Sequence, residues 1–196
     1  DGDRIFIISY VSTIGAGFEG FYIGEIDPSN GNYIWQKDYE TGYFFDIFGY
    51  TFGFPYGAAI SGDDIFVVFP GRSYGELSTL YKSTKDGLFI KTIQLFQNGG
   101  IHPHDITPME NGDIVLVGSK VQLEEIENVV ERRNSDGELL WQKSFGNGTL
   151  FRVSTIEDQI IVGGDLPENG DYQVHLFDMQ RVTCIFTRGG SKYNRL

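Results

Sequence analysis

Short apolar runs, separated by clusters of Gly, Asn and Asp, follow one another along most of the chain. Four of them share one form, a polar turn and then a β-branched run: "GDRIFIIS", "GDDIFVVF", "NGDIVLVG" and "EDQIIVGG". This pattern predicts strands rather than helices. "QLEEIENVVERR" comes closest to a helical period, with Leu123, Ile126 and Val130 at helical spacing. The repeat described below makes "NVVERR" a strand instead.

A turn motif recurs downstream of three of these runs. It consists of Asn-Gly or Asp-Gly between two strand-like segments, at positions 30–31, 86–87 and 136–137. These dipeptides tolerate positive φ and predict two-residue hairpins. Trp35 and Trp141 each follow the glycine by four residues, and in the middle copy Ile90 takes that place one residue earlier.

The two motifs define a repeat. Ile5, Ile65, Ile114 and Ile160 are equivalent, with spacings of 60, 49 and 46 residues. A third element, "YGAAI", "HDITPM" or "FRVSTI", precedes the β-branched run in the last three copies. The unit is therefore four strands, A to D, with the glycine hairpin between C and D. Four short strands in roughly 40 to 50 residues are typical of a propeller blade.

The sequence thus predicts an all-β protein, a β-propeller with four four-stranded blades in a single domain spanning 1–196. The blades are predicted at about 1–40, 56–96, 104–145 and 150–188. In blade 2 the strands are predicted at 56–60, 65–69, 78–82 and 88–95. Blade 1 shows no strand A. Either "SKYNRL" at 191–196 supplies it or the chain is part of a larger propeller, and the second is favoured because "SKYNRL" lacks an apolar pattern.

The repeated Trp in strand D is predicted to pack between adjacent blades, because a blade cannot bury both faces of its own sheet. "FYIGEIDPSNGNYIWQKDY" and "NGDIVLVGSKVQLEEIENVVERRNSDGELLWQKSFGNG" resemble the tryptophan-motif propeller repeats of the quinoprotein-like superfamily. They are most similar to secreted repeats of the form Asp-x-x-Gly-Asn-x-x-Trp. That resemblance implies export, and hence an extracellular or cell-surface protein. It is silent on activity, because the architecture hosts enzymes, scaffolds and adhesins.

Two enzymatic resemblances are incomplete. A quinone-dependent dehydrogenase of that superfamily would carry eight docking motifs and a vicinal Cys pair, whereas this chain has two Trp and one Cys, Cys184. "NSDGELLW" is similar to the Asp-box of sialidases but lacks its Thr and one spacer residue. The sialidase arginine triad cannot be assigned among the arginines. We therefore expect no cofactor.

The net charge of the chain limits the kinds of partner that it is expected to bind. The 27 acidic and 15 basic residues give a net charge of −12, which disfavours a nucleic-acid ligand. An anionic membrane surface would also be repelled, and no apolar run approaches the length of about 20 residues that spans a bilayer, so membrane insertion is not expected. A protein or glycan partner, or self-assembly, is expected instead.

"GGIHPHDITP" is the most unusual polar stretch. His102, His104 and Asp105 stand at the start of strand A of blade 3, where strand A of a propeller meets one mouth of the channel. Aligning the A strands places Tyr56 and Arg152 at the equivalent positions of blades 2 and 4. The two His and the Asp could hold a metal, serve a hydrolase or lyase, or only hydrogen-bond their neighbours. Since Arg donates hydrogen bonds and cannot ligate, we expect either polar binding of an anionic or sugar ligand or a hydrogen-bonded plug, and no metal.

A second candidate surface is the aromatic connection "YFFDIFGYTFGFPYG" at 43–57. Connections of this length are usually functional or disordered, and this one is too aromatic for disorder. Phe45, Phe48 and Phe52 are expected either at an interface or in the core. Asn147, in "NGT", fits the glycosylation acceptor pattern.

The sequence therefore favours a non-catalytic binding or structural module. A secreted hydrolase or lyase acting through His102, His104 and Asp105 is the first alternative. A subunit of a surface filament or layer is the second.

Overall fold

The computed structural model describes residues 4–12, 19–40, 55–69, 78–95, 102–122, 125–145, 149–156, 159–165 and 172–178. Every regular element within these ranges is a β-strand. No helix capable of crossing a membrane is found among them.

The strands form four antiparallel sheets, one for each repeat. Blade 1 contains β1 (Ile5–Ser12), β2 (Glu19–Ile26) and β3 (Tyr33–Glu40). Blade 2 contains β4 (Gly57–Ser61), β5 (Asp64–Phe69), β6 (Thr79–Thr84) and β7 (Phe89–Gln94). Blade 3 contains β8 (His102–Pro108), β9 (Ile114–Gln122), β10 (Glu125–Arg133) and β11 (Leu139–Ser144). Blade 4 contains β12 (Thr149–Ile156), β13 (Gln159–Asp165) and β14 (Tyr172–Asp178).

The all-β prediction is confirmed. In blade 2 the strands stand within two residues of their predicted positions, and β10 is a strand, as the repeat required. Blade 1 has three described strands, of which β1 is an edge. Residues 191–196, predicted as one possible source of its fourth strand, lie outside the described residues.

The predicted two-residue C–D hairpins are wrong. In blade 2 the Gly87 amide donates to the Thr84 carbonyl at 2.9 Å, and the Thr84 amide donates to the Leu88 carbonyl at 2.9 Å, which encloses three residues. The hairpin of blade 3 has the same hydrogen bonds, and that of blade 1 is one residue longer. The glycine has φ near +75° in each case, 75°, 73° and 79°, and a register shift follows in the ladder. The Gly therefore forms the bulge after the turn rather than its centre.

Apolar clusters fill the space between successive blades. One joins blades 1 and 2 through Phe21, Ile23, Tyr39, Ile65, Val67, Phe69 and Tyr81, with Trp35 packed against it. A second joins blades 2 and 3 and includes Phe66, Leu80, Ile114 and Leu116. A third joins blades 3 and 4 and includes Val115, Val117, Ile160 and Val162, with Trp141 packed against it. The prediction that the Trp packs between blades is confirmed.

The placement of Ile90 at the Trp position is wrong. Trp35 pairs with Glu25, and Trp141 pairs with Arg132, each just before the register shift. In blade 2 the residue in that register is Lys91, whereas Ile90 is 41% exposed. Ile93, two residues beyond Lys91 on the same face of the strand, packs against the cluster shared with blade 3. Lys91 follows Gly87 by four residues, as Trp35 and Trp141 follow their glycines, so blade 2 has no one-residue offset at this position.

An ion pair recurs at the same place in blades 1, 2 and 3. One partner directly precedes the first Ile of strand B. The other lies on strand C, opposite the Trp position of strand D. The pairs are Arg4–Glu25 at 2.7 Å, Asp64–Lys82 at 2.8 Å and Asp113–Arg132 at 2.6 Å. The cation also reaches the next blade, since Arg4 donates to the Lys85 carbonyl at 3.1 Å and Lys82 to the Ser135 carbonyl at 2.7 Å. Both carbonyls stand two residues before the hairpin glycine. The hairpins are thus held by hydrogen bonds from the preceding blade.

Candidate functional site at the channel mouth

The A strands of blades 2, 3 and 4 lie side by side. A Cβ placed on Gly57 of β4 would come within 3.1 Å of the Asp105 carboxylate and of the Ile106 amide of β8. On the other side of β8, the Thr155 hydroxyl of β12 donates to the Pro108 carbonyl at 2.7 Å. Because the strands run in the same direction from one end, residues at their starts meet at a single mouth.

Four rings form a continuous aromatic cluster across these three blades. Tyr56 lies 6.0 Å from His102 and 6.4 Å from His104, between ring centroids. The two His rings are 5.7 Å apart, and Phe151 stacks on His104 at 6.0 Å with an interplanar angle of 26°. Tyr56 and Phe151 remain 45% and 43% exposed. The cluster therefore offers aromatic surface to solvent at the two outer blades, with the half-buried His residues between them.

The tautomer of His104 follows from its hydrogen bond. Its Nδ1 lies 2.6 Å from the Leu150 carbonyl oxygen, which can only accept. Nδ1 therefore carries the proton, and Nε2 of the neutral ring is an acceptor. Burial lowers the pKa of His104; the bond to Leu150 opposes this shift, and the neighbouring His102 lowers the pKa further. The ring is accordingly neutral at neutral pH.

Asp105 joins the blades rather than projecting freely into the channel. Its Oδ2 accepts the Val153 amide of β12 at 3.0 Å. The same oxygen lies 4.0 Å from Arg152 Nη1, and the Arg152 side chain is 76% exposed. Asp105 thus holds one end of an ion pair at the rim, while the guanidinium remains open to solvent.

The structure brings together five of the residues predicted as a site: Tyr56, His102, His104, Asp105 and Arg152. Phe45, Phe48, Phe52 and Asn147 lie outside the described residues. Sequence reasoning missed Phe151, which completes the cluster. Phe151 could have been predicted as a mouth residue, because it directly precedes Arg152 at the start of a strand that aligns with "YGAAI" and "HDITPM".

The side chains in the described part of the chain are not arranged to bind a metal ion. No group of three or more His, Cys, Asp or Glu side chains is placed there to hold an ion. At the mouth, the Nδ1 atom of His104 and one oxygen of Asp105 are already hydrogen-bonded to the backbone of β12.

Comparisons with known proteins agree on the architecture. No family model matches the chain. No curated protein sequence matches it either. Among solved structures, it is similar to the β-propeller domain of the Trilobed protease from Pyrococcus furiosus, with a TM-score of 0.60 and 11% identity over 96% of this chain and 55% of that one.

Two further structures share the fold. They are an acylaminoacyl peptidase, with a TM-score of 0.62 and 11% identity over 96% of this chain and 31% of that one, and a Hadza microbial sialidase, with a TM-score of 0.60 and 12% identity over 94% and 44%. The protein is therefore an all-β protein with a β-propeller fold, as the sequence predicted. The chain spans about half the length, or less, of the structures that it matches.

Proposed function

We propose that this chain is a non-catalytic propeller module that binds a glycan at the channel mouth, outside the cell or on its surface. One observation carries the proposal. Tyr56 and Phe151, both nearly half exposed, flank two His rings at the mouth, where Asp105, the residue after His104, lies 4.0 Å from the exposed guanidinium of Arg152.

The chemistry of the cluster suits a sugar ring. The C–H faces of a pyranose are apolar and pack against aromatic faces, whereas its hydroxyls require polar groups placed at the edge of the stack. Donors and acceptors are supplied at the starts of three adjacent strands by Tyr56, His102, His104 and Arg152. Since Arg152 faces solvent, the same site also suits a sugar that carries a carboxylate or sulfate.

The described residues of the mouth do not include the pair of carboxylates that glycoside hydrolysis usually requires. Most glycosidases use two carboxylates roughly 5 to 9.5 Å apart. The described starts of the three A strands carry one carboxylate, Asp105, which is engaged by the Val153 amide and by Arg152. This supports binding without turnover.

A second candidate is a hydrolase or lyase that uses the same mouth. The neutral His104, with its proton fixed on Nδ1, has the protonation state of a general base. The fold does not choose between the two candidates, because peptidases and a sialidase are among the similar structures at 11% to 12% identity.

We also propose an extracellular or cell-surface location and a partner other than nucleic acid or a membrane. The Trp-bearing hairpins resemble secreted tryptophan-motif repeats, which supports an extracellular or cell-surface location. The net charge of −12 supports a ligand other than nucleic acid or an anionic membrane. A protein partner docking on Phe45, Phe48 and Phe52 would be an additional contact.

Screening the purified chain against an array of neutral and acidic glycans tests the proposal, followed by mass analysis of each bound glycan after prolonged incubation. We expect binding to a restricted set of glycans that are recovered intact. Cleavage or elimination of a bound glycan would establish the enzyme instead. Binding to no glycan would contradict the proposed function.

A further inference from the structure

The outer strands of blades 2 and 3 expose large apolar side chains at the same two positions. These positions are the second and third after the hairpin glycine, and they hold Phe89 and Ile90 in β7 and Leu139 and Leu140 in β11. The four residues are 41% to 50% exposed, and Leu88, which precedes the pair in blade 2, is 64% exposed. Blades 2 and 3 each pack against a described blade on either side, so the exposure belongs to the outer strand itself and not to an uncovered sheet face.

A β-bulge accompanies the apolar pair in each blade. In blade 2 the register shift between Lys82 and Ser83 leaves Ile90 without a partner on strand C. Leu140 of blade 3 and Ile34 of blade 1 are left out of their ladders in the same way. Bulges on edge strands turn a side chain in a new direction and interrupt pairing with a further strand. The start of each outer strand is therefore a poor template for strand addition, and it presents an aliphatic side chain instead.

The two apolar pairs belong to one surface. A Cβ on Gly137 would overlap the side chain of Ile93, and Nζ of Lys91 lies 3.5 Å from Oδ1 of Asp136, so the hairpin of blade 3 lies directly against β7. This surface is at the end of the propeller opposite the mouth, because strand A begins at the mouth and successive strands are antiparallel. Five side chains form this outer-strand patch: Leu88, Phe89, Ile90, Leu139 and Leu140.

The size of the outer-strand patch is that of an interaction surface. Its five side chains expose on the order of 450 Å², within the roughly 300 to 600 Å² of the largest apolar patch on a typical monomer, and such patches are often functional. One partner of a standard interface contributes about 800 Å², of which roughly 56% to 65% is apolar. The patch thus supplies the apolar part of one such interface, and polar groups at its border supply the rest.

Carboxylates border the outer-strand patch. The side chains of Asp86 and Asp136, in the two hairpins, are 89% and 68% exposed, and Glu138 is exposed as well. Lys85, in the first hairpin, is 5% exposed, and Lys91 pairs with Asp136. The border of the patch is therefore acidic, in keeping with the net charge of −12, and favours a partner that carries positive charge.

We propose that the outer-strand patch docks a basic amphipathic α-helix of a partner protein, which lies across the outer strands of blades 2 and 3. Sheets that pack face to face are about 10 Å apart, and residues i and i+7 of a helix are separated by nearly the same distance. Apolar side chains two turns apart therefore reach the apolar pairs of both blades. Lys and Arg on the flanks of the helix face the carboxylates of the two hairpins.

Selection of a phage-displayed library of random peptides, about 16 residues long and so able to form four helical turns, tests this proposal on the immobilised chain. Counter-selection uses the double variant Ile90→Ser with Leu140→Ser. We expect the enriched peptides to be positively charged, with apolar residues at the i, i+3, i+4 and i+7 positions of a helix. Their affinity, measured by fluorescence anisotropy, should fall at least about tenfold in the double variant, and it should weaken as salt screens the attraction.

Ile156→Ser is the matched control. Ile156 is 57% exposed and ends β12, so it lies at the same end of the propeller but on an innermost strand. Its replacement should leave the affinity for the enriched peptides unchanged. Should the double variant fail to give the circular dichroism of the parent, Phe89→Ser with Leu139→Ser applies the same test.

Three results would overturn the proposal. The first is that no peptide is enriched, or that the enriched peptides bind the double variant as tightly as the parent. The second is enrichment of peptides with strictly alternating apolar residues, which would indicate strand addition. The third is cosedimentation of the chain with phosphatidylcholine vesicles that is lost in the double variant, which would assign the patch to a membrane surface. Glycan binding at the mouth does not enter into any of these measurements.

Discussion

Trp35 of blade 1 lies directly against Gly87 of blade 2. A Cβ on Gly87 would stand 2.7 Å from Cζ3 of the indole, closer than carbon atoms can approach. The indole Nε1 donates to Glu25 at 2.8 Å, which fixes the ring across the seam. The hairpin glycine therefore meets two demands at once, a positive φ of 73° and the absence of a side chain under the Trp.

Gly87→Ala should destabilise the fold by about 2 to 4 kcal/mol, as the sum of about 1 kcal/mol for left-handed backbone and the cost of overpacking against Trp35. Gly31→Ala is the matched control. Gly31 has a φ of 75° in the equivalent hairpin, and a Cβ placed on it would meet nothing within 4 Å, so it should cost only the backbone share. Urea denaturation of both variants gives the comparison. Equal losses would show that the Trp contact is unimportant.

The cation that joins blades 2 and 3 should also be measurable. Lys82, whose side chain is 8% exposed, bonds both Asp64 and the Ser135 carbonyl. Lys82→Met should cost about 2 to 3 kcal/mol, because it leaves Asp64 unpaired and one carbonyl without its donor. Adding Asp64→Asn should recover about 1 kcal/mol by removing the unpaired charge.

Lys91→Met serves as the control for Lys82. Lys91 reaches the same hairpin through Asp136 at 3.5 Å, but both side chains are exposed. Its loss should change the free energy of unfolding by no more than about 0.5 kcal/mol. Similar effects from Lys82 and Lys91 would contradict the role assigned to the inter-blade hydrogen bond.

The stability of the fold should depend on pH through His104. Burial lowers its pKa below the ordinary value of 6.5, so the unfolded chain binds a proton before the folded one does. The contribution is therefore complete above the unfolded pKa and is lost as the pH falls from about 7 towards the lowered pKa. His104→Gln should flatten this segment of the curve of unfolding free energy against pH, with His102, Asp105 and Arg152 retained. An unchanged slope would exclude His104 as its source.

Much of the fold could be predicted because the repeat fixes it locally. Strand positions, the Trp at the blade seam and the meeting of Tyr56 with His102 all follow from aligning one repeat on another. The turn type could not, because Asp-Gly suits both a two-residue hairpin and a three-residue loop with a bulge. The placement of Ile90 at the Trp position has a different cause, since Lys91 follows Gly87 by the four residues that separate Trp35 and Trp141 from their glycines.

The hydrogen-bond partners of the mouth residues could not be predicted from the sequence either. His104 and Asp105 each bond the backbone of β12, more than 40 residues away, at Leu150 and Val153. The separation of one carboxylate oxygen from one amide depends on how two sheets pack, which residue types do not encode. The recurring ion pairs illustrate the same limit, since the Asp before each Ile is visible in blades 2 and 3 but its partner on strand C depends on register.

The most direct test of the account is calorimetric titration of an array-identified glycan into the wild-type chain and two phenylalanine variants. Phe151→Ala removes a ring of the mouth cluster that is 43% exposed, and Phe89→Ala removes a 48% exposed ring from the outer strand of blade 2. Stacking of this kind is worth about 0.5 to 1.5 kcal/mol beyond the buried area, so Phe151→Ala should weaken binding roughly tenfold while Phe89→Ala leaves it unchanged. Equal affinity of Phe151→Ala and the wild type would contradict binding at the mouth.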